Sequence, residues 1–400
     1  MNRRRRLFFL ACACGALMCA AYSTNAAEQR FDPRLEVDGL YNSNLRLVAP
    51  PLDDEVTGGY VDALAIWSAR TPLTDFTLTP RVRANQYSGN GESGTTNAYL
   101  LGTLVHKLRR GRLGLAFDIS KQEVLTGELL AANGGNGLGT PGTGTTGLAL
   151  NNNKALFTTV QPTGRFALGP RTELLIDTEF ASVNYEKSNT SGQNDYTDLS
   201  GSLGLSFQAT PRVRWVTNLT ADRFKPQAGN QDANNLGANV ELWREQSELL
   251  RAYIRLGALR TQFPGSSAPS ETNAIGGLGV QRDLTTGQIF LQANRRVDGS
   301  GYGQVVVRDE LNMRLGRKIS ERLLLSASAV GVWTAPVGSN STLSKRRYYV
   351  ASLGGEWRIR RTVSLVARLQ YSSKHDENQA STADSNAAYA GVVFEPHRHN

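Results

Sequence analysis

The feature that most restricts this chain is a two-residue beat of apolar and polar side chains that returns along almost its whole length. The cleanest stretch is Leu199-Ser200-Gly201-Ser202-Leu203-Gly204-Leu205-Ser206-Phe207. Leu199, Gly201, Leu203, Leu205 and Phe207 share one phase, and Ser200, Ser202, Gly204 and Ser206 share the other. The same division runs through Phe76 to Arg83, Leu113 to Ser120, Arg212 to Leu219, Arg251 to Leu256, Leu311 to Leu315 and Ser352 to Arg360. Successive side chains of a strand point to opposite faces, so each segment predicts a strand with one apolar and one polar face. No long stretch shows helical period with caps. Past the N-terminal segment, none approaches the roughly 18–20 apolar residues of a spanning helix.

The connections alternate in length. Short turns are expected near Thr71-Pro72, Arg110-Gly111, Gly169-Pro170, Thr210-Pro211, Glu245 to Ser247, Thr285 to Gly287, Lys318 to Glu321 and Arg361-Thr362. Between them lie nine longer stretches rich in Gly, Asn, Ser and Asp, from Leu47 to Gly58 through Leu125 to Asn153 to Asn378 to Ser385. Eight turns and nine loops predict eighteen strands. An even strand count with short turns at one end and long loops at the other describes an all-β, up-and-down antiparallel transmembrane barrel. In hydrocarbon every backbone N–H and C=O must be paired internally, and strands achieve this only in a closed sheet. A soluble all-β protein is the competing reading, for which loops of more equal length are expected.

The N-terminus fixes the expected compartment. Arg3 to Arg6 form a positive segment, Leu7 to Ala20 an apolar one, and Tyr22 to Ala27 a short polar stretch with small residues. This is the layout of a cleavable export signal, with cleavage after Ala26 or Ala27. The expected division is a signal peptide over 1–26 and a barrel over 27–400. Ala16-Leu17-Met18-Cys19 fits a lipidation site poorly. The three cysteines, Cys12, Cys14 and Cys19, all fall in the signal, so the mature chain lacks disulfides, thiolate metal sites and a cysteine nucleophile. Without Arg3 to Arg6, 40 basic residues stand against 35 acidic ones, a net charge of +5. The basic residues are dispersed, which does not suggest nucleic-acid binding. The expected location is the outer membrane of a Gram-negative bacterium, with both termini in the periplasm and outer-membrane lipid and lipopolysaccharide as partners.

Trp67, Trp215, Trp243 and Trp357 lie within five residues of a short turn and Trp333 near a long loop. Such amphipathic rings favour the bilayer interfaces. Tyr389 to Phe394 forms an apolar closing strand that ends on an aromatic.

The polar phase is rich in arginine. Pore-lining candidates are Arg81, Arg83, Arg165, Arg212, Arg214, Arg251, Arg255, Arg308, Arg314, Arg358 and Arg368, with Asp118, Asp177, Glu179 and Glu310 among the acids; Glu173, Glu241 and Glu356 share that phase. Excess positive charge in a wet pore favours anions, and guanidinium forks suit carboxylates and phosphates. The alternative is a salt-bridged wall, with several arginines anchoring the periplasmic rim. Gly137-Leu138-Gly139-Thr140-Pro141-Gly142 formally matches a dinucleotide fingerprint, but that needs a strand before it and a helix after it. The Leu125 to Asn153 loop either folds inward as a constriction or stays outside. His106, His375, His397 and His399 are the only histidines, with no Ser or carboxylate set to form a catalytic group, so no enzyme, cofactor or metal site is expected.

Leu35 to Leu45 opens the first strand and its loop with Tyr41-Asn42-Ser43-Asn44-Leu45. This resembles the Tyr-x-Asp-Asn-Val/Ile opening of the β-barrel porin 2 family, with Ser43 in place of the usual Asp. The recurring Thr-Pro and Gly-Pro-Arg turns and the length of the mature chain resemble that group too. The resemblance implies an outer-membrane channel linked to exopolysaccharide export machinery. A non-transporting surface scaffold or adhesin is the alternative expectation.

Overall fold

The computed structural model describes residues 27–50, 54–88, 94–124, 153–187, 193–227, 232–266, 268–338, 343–377 and 382–396. The expected signal peptide and almost all of the Leu125 to Asn153 loop, with its glycine motif, lie outside these residues, as do His397 and His399. The strands of the first half are β1 (Glu28–Asn42), β2 (Val56–Arg70), β3 (Thr74–Ser88), β4 (Thr95–Leu108), β5 (Gly111–Glu123), β6 (Lys154–Ala167), β7 (Thr172–Tyr185), β8 (Tyr196–Thr210) and β9 (Val213–Pro226). The second half holds β10 (Ala233–Ser247), β11 (Leu250–Gln262), β12 (Glu271–Leu284), β13 (Gly287–Gly299), β14 (Val305–Lys318), β15 (Leu323–Pro336), β16 (Arg346–Arg360), β17 (Val363–Asp376) and β18 (Ala383–Phe394). Each strand pairs antiparallel with the next, and β1 pairs with β18 from Leu35↔Phe394 to Asn42↔Ala387, which closes the barrel.

The eighteen strands and the alternation of short turns with longer connections match the sequence expectation. Two prolines inside strands mark interior gaps in the ladder, whereas the register shifts at Gln208/Thr210, Glu245/Ser247 and Arg358/Arg360 fall beside short turns. Pairing of β2 with β3 jumps from Leu64↔Arg81 to Trp67↔Leu78 around Pro80, and that of β6 with β7 from Val160↔Phe180 to Thr163↔Asp177 around Pro162. Proline has no N–H to donate there.

The two phases separate as the alternation requires. Leu199, Leu203, Leu205 and Phe207 on β8, Leu236 and Val240 on β10, and Leu353 and Trp357 on β16 face outward and are exposed. In water such a continuous apolar belt would be strongly unfavourable; in a bilayer it is the required surface. Trp67, Trp215, Trp333 and Trp357 share this outward phase, as expected of interface aromatics. Trp243 does not. Its register partners are Arg214 and Tyr253, and it shares the inward phase with them, so proximity to a short turn misassigned it.

Candidate functional site

The inward phase builds the lumen. It carries Arg81 and Arg83 on β3, Asp118 on β5, Arg165 on β6, Glu173, Asp177 and Glu179 on β7, and Arg214 on β9. Further round stand Glu241 on β10, Arg251 and Arg255 on β11, Arg308, Glu310 and Arg314 on β14, Glu356 and Arg358 on β16, and Arg368 on β17. Arg212 differs, because it lies in the two-residue turn between β8 and β9 and not on a strand.

Both signs of charge stand in the half nearer the short turns, where Glu173, Asp177, Glu241 and Glu356 lie. Arg165, Arg214, Arg255, Arg314, Arg358 and Arg368 lie in the half nearer the short turns, and none has an ion pair among the described residues. Instead, several stack on aromatic rings of the next strand: Arg214 on Trp243 (5.3 Å), Arg314 on Phe290 (5.6 Å) and Arg368 on Tyr389 (5.6 Å). Stacking uses the flat face of a guanidinium and leaves its N–H edges available.

On β1 to β4 the wall is paired. Arg81 bridges Asp62, and Arg83 lies 3.9 Å from the same carboxylate and 3.7 Å over the ring of Tyr60. The Tyr60 hydroxyl contacts Glu36 at 2.8 Å and also Asp38, while Arg34 holds Glu36 at 2.8 Å. The salt-bridged-wall alternative therefore describes this sector and recurs on β11 to β14, where Arg251 pairs with Asp283 and Arg308 with Glu310, while the six arginines above stand outside these pairs.

The long-loop end is different again. Here β13 and β14 bend inward, and Val305, Val306, Val307 and Arg308 are all buried, on both phases. Val305 and Val307 join one apolar cluster with Phe157, Val183, Tyr185, Tyr196 and Phe224 of β6 to β9. The 300–304 connection reaches the β7–β8 connection. Asn194 donates from its backbone to the Gly301 carbonyl (2.8 Å) and from Nδ2 to the Tyr302 carbonyl (3.2 Å). Gly299 is required at this contact, since a Cβ there would lie 2.2 Å from the Phe224 ring. Ion pairs brace the hairpin from below: Arg296 holds Asp298 at 2.6 Å, and Arg308 holds Glu310 at 3.2 Å.

A second inward element follows β1, at the motif that carried the family resemblance. Asn42 Oδ1 accepts from the Asn44 backbone N–H and from the Ser385 hydroxyl, both at 2.8 Å. The Asn44 amide donates to the Val48 carbonyl and accepts from the Val48 N–H, both at 2.9 Å, and donates to the Asp384 carbonyl at 3.1 Å. A side-chain amide thus stands in for a strand neighbour and turns the chain inward. Leu47, at φ 50°, is then buried against Val330, Val332, Tyr348 and Val350 of β15 and β16. Arg46 clamps Asp54 with guanidinium bonds of 2.7 and 3.0 Å and a backbone bond of 2.9 Å. Burial raises the affinity of the Asp54 carboxyl for its proton, but the Arg46 bonds and charge outweigh this and hold it below the usual aspartate range.

His106 sits on the outward phase near a short turn and shares a 2.9 Å hydrogen bond with Thr74. His375 contacts Thr382 at 3.3 Å. Neither stands beside a nucleophile-and-acid pair. Among the described residues, no group of His, Cys, Asp and Glu could hold a metal ion.

No protein-family model matches the chain, and no curated protein matches it. Solved outer-membrane barrels are similar to it in fold. OprD of Pseudomonas aeruginosa is 9% identical, with 91% of this chain and 94% of that one covered and a TM-score of 0.44. OccK2 (OpdF) of the same organism is 8% identical, covering 92% and 98%, with a TM-score of 0.47. The FrpB iron transporter of Neisseria meningitidis is 11% identical, covering 86% of this chain and 61% of that one, with a TM-score of 0.46.

Proposed function

We propose that this barrel is an outer-membrane channel for anionic solutes, in which cargo enters from the short-turn end and leaves past the inward-folded mouth. The observation that carries this reading is the gathering, in the short-turn half of the lumen, of six arginines without an ion pair among the described residues, three of them stacked on aromatic rings. Short turns face the periplasm in outer-membrane barrels. A positive vestibule there concentrates anions on the side from which exported material arrives. This direction fits export of an acidic exopolysaccharide, as the resemblance of Tyr41 to Leu45 to the porin 2 group implies, with polysaccharide export machinery as partner. Outward-facing cations at the long-loop rim, among them Lys121, Arg223, Lys225 and Arg260, suit the phosphates of lipopolysaccharide.

Planar-bilayer recording tests the channel. Conductance with anion selectivity is expected; cation selectivity would overturn the anion version. A second reading, a non-transporting surface scaffold, is favoured by the apolar clusters packed inside the mouth. Absence of conductance, together with weakened adhesion but normal polysaccharide secretion in a deletion strain, would establish that reading instead.

A further inference from the structure

Trp243 breaks the rule that places the other four tryptophans against lipid, and nothing in the barrel's membrane fit accounts for it. Its indole is half-buried on the lumen side of β10. The indole N–H is taken by Glu241. The ring lies between the guanidinium of Arg214 and the ring of Tyr253, whose centroid is 4.8 Å away at an interplanar angle of 32°.

The neighbouring strands are cut to hold this stack in place. The Tyr253 hydroxyl accepts from Gln292 at 2.7 Å and lies 3.4 Å from the Asn294 carbonyl oxygen, which also accepts from Arg255 at 3.2 Å. Between them β12 offers only glycine on this phase. A Cβ at Gly279 would lie 2.2 Å from the Tyr253 ring, and one at Gly277 would lie 2.6 Å from Asn294 Oδ1. Tyr253 and Arg255 therefore lie in a slot made by missing side chains. Arg214 completes the row with a buried Nε that has no hydrogen-bond partner, and Arg165 is near enough to repel it. Asp177 and Glu173 of β7 attract Arg165 and Glu241 holds the indole, but among the described residues none of these carboxylates pairs with Arg214, so an anion that reaches its guanidinium is stabilising.

Resting on the channel reading, we infer that Arg214, Trp243, Tyr253, Arg255 and Asn294 form a lumen subsite for an acidic sugar residue, of the uronate class. A carboxylate takes the free edge of Arg214. The aromatic pair supplies an apolar contact for the C–H surface of the ring, and the amide row supplies hydrogen bonds for its hydroxyls. A simple anion would use only the first of these.

The test uses the refolded barrel in detergent micelles, so that binding is read without requiring conduction. Tryptophan fluorescence is titrated with an oligogalacturonate, a malto-oligosaccharide of equal length, and acetate. Saturable binding of the oligogalacturonate alone is expected, with the signal lost in Trp243→Phe. In Arg214→Gln, which keeps the ring, a calorimetric Kd about tenfold weaker is expected, the scale of one charge-assisted contact. Arg244→Gln, on the outward phase of the same strand, should bind normally. Circular dichroism establishes that each variant is folded. Equal binding of acetate, equal binding of the neutral oligomer, or no binding by a folded barrel would each overturn the subsite. In bilayers, conductance without oligogalacturonate block would overturn the subsite and leave the channel standing. Binding in micelles without any conductance would overturn the channel and leave the subsite.

Discussion

The backbone N–H of Asn194 donates to the carbonyl of Gly301 at 2.8 Å, tying the β7–β8 connection to the tip of the β13–β14 hairpin across the outer mouth. This contact joins connections separated by five strand-to-strand steps of the wall, from β8 to β13, so it exists only because the hairpin leans into the lumen. The cysteines of this chain lie in the expected signal, so a cysteine pair at 194 and 301 can be read without background. A Cβ at residue 301 would lie 2.2 Å from the Tyr185 hydroxyl, so the pair is made in a Tyr185→Phe background. Oxidation of Asn194→Cys/Gly301→Cys is then expected to fix the narrow mouth and lower mean single-channel conductance, and reductant should restore it. Identical conductance in both redox states would show that the hairpin does not limit passage.

Beneath that contact, Phe224 is fully buried and seats the hairpin. Phe224→Ala removes a large apolar side chain from a packed site, a change that costs about 3–5 kcal/mol in protein cores. The loss falls on the hairpin seat more than on the eighteen-strand ladder. Noisier, higher conductance with a smaller drop in barrel Tm is therefore expected. A quiet channel with a large Tm loss would place Phe224 in the barrel's own stability instead.

Asn44 makes three hydrogen bonds to backbone groups that no apolar replacement can satisfy. Asn44→Ala should destabilise the β1–β2 loop by about 1–3 kcal/mol, the cost of leaving buried partners unmade. Limited proteolysis between residues 45 and 50 measures it. Cleavage no faster than in the parent would mean that Arg46 and Asp54 hold the loop without the amide.

The barrel was readable because strand period and turn chemistry repeat eighteen times, so a local misreading of one strand barely alters the sum. Phase was readable for the same reason, and it placed Arg214, Arg255, Arg314 and Arg368 on the inner face without any contact information. The mouth was harder. Val305-Val306-Val307 is an apolar run without alternation, the mark of a segment covered on both faces, and it was the available signal that β14 enters the lumen. Trp243 went wrong because distance from a turn was used where register parity decides. The opening around Asn42 and Asn44 shows in the sequence only as a resemblance. Its physical role as a loop pin depends on Ser385 and Asp384, more than 300 residues away, and sequence does not reveal that pairing.

Arg255 and Arg314 give the direct measure of lumen charge. Among the described residues Arg255 bonds only to Asn294, and Arg314 bonds to Asn312 at 3.3 Å beside Phe290, with no ion pair to either. Arg255→Gln/Arg314→Gln should shift the reversal potential in a salt gradient toward cations, and the shift should shrink as ionic strength rises and screening shortens. An unchanged reversal potential would mean that the selectivity-determining charges lie elsewhere in the lumen.

The Arg46–Asp54 clamp predicts how the β1–β2 loop responds to acid. Asp54 binds its proton less readily in the folded loop than in the open chain, because Arg46 favours the carboxylate. A group of this kind stabilises the folded form fully at pH above its open-chain value, about 3.9 for aspartate, and loses that contribution as pH falls through the folded value. Protection of residues 45–50 from proteolysis or hydrogen exchange should therefore be flat from pH 8 to about pH 5 and should decline on further acidification. Asp54→Asn removes the charge that Arg46 holds, so its protection should be lower at neutral pH and should no longer change over the acid range. A variant that kept the parent's acid dependence would trace the effect to another carboxylate and break the link between this clamp and the loop.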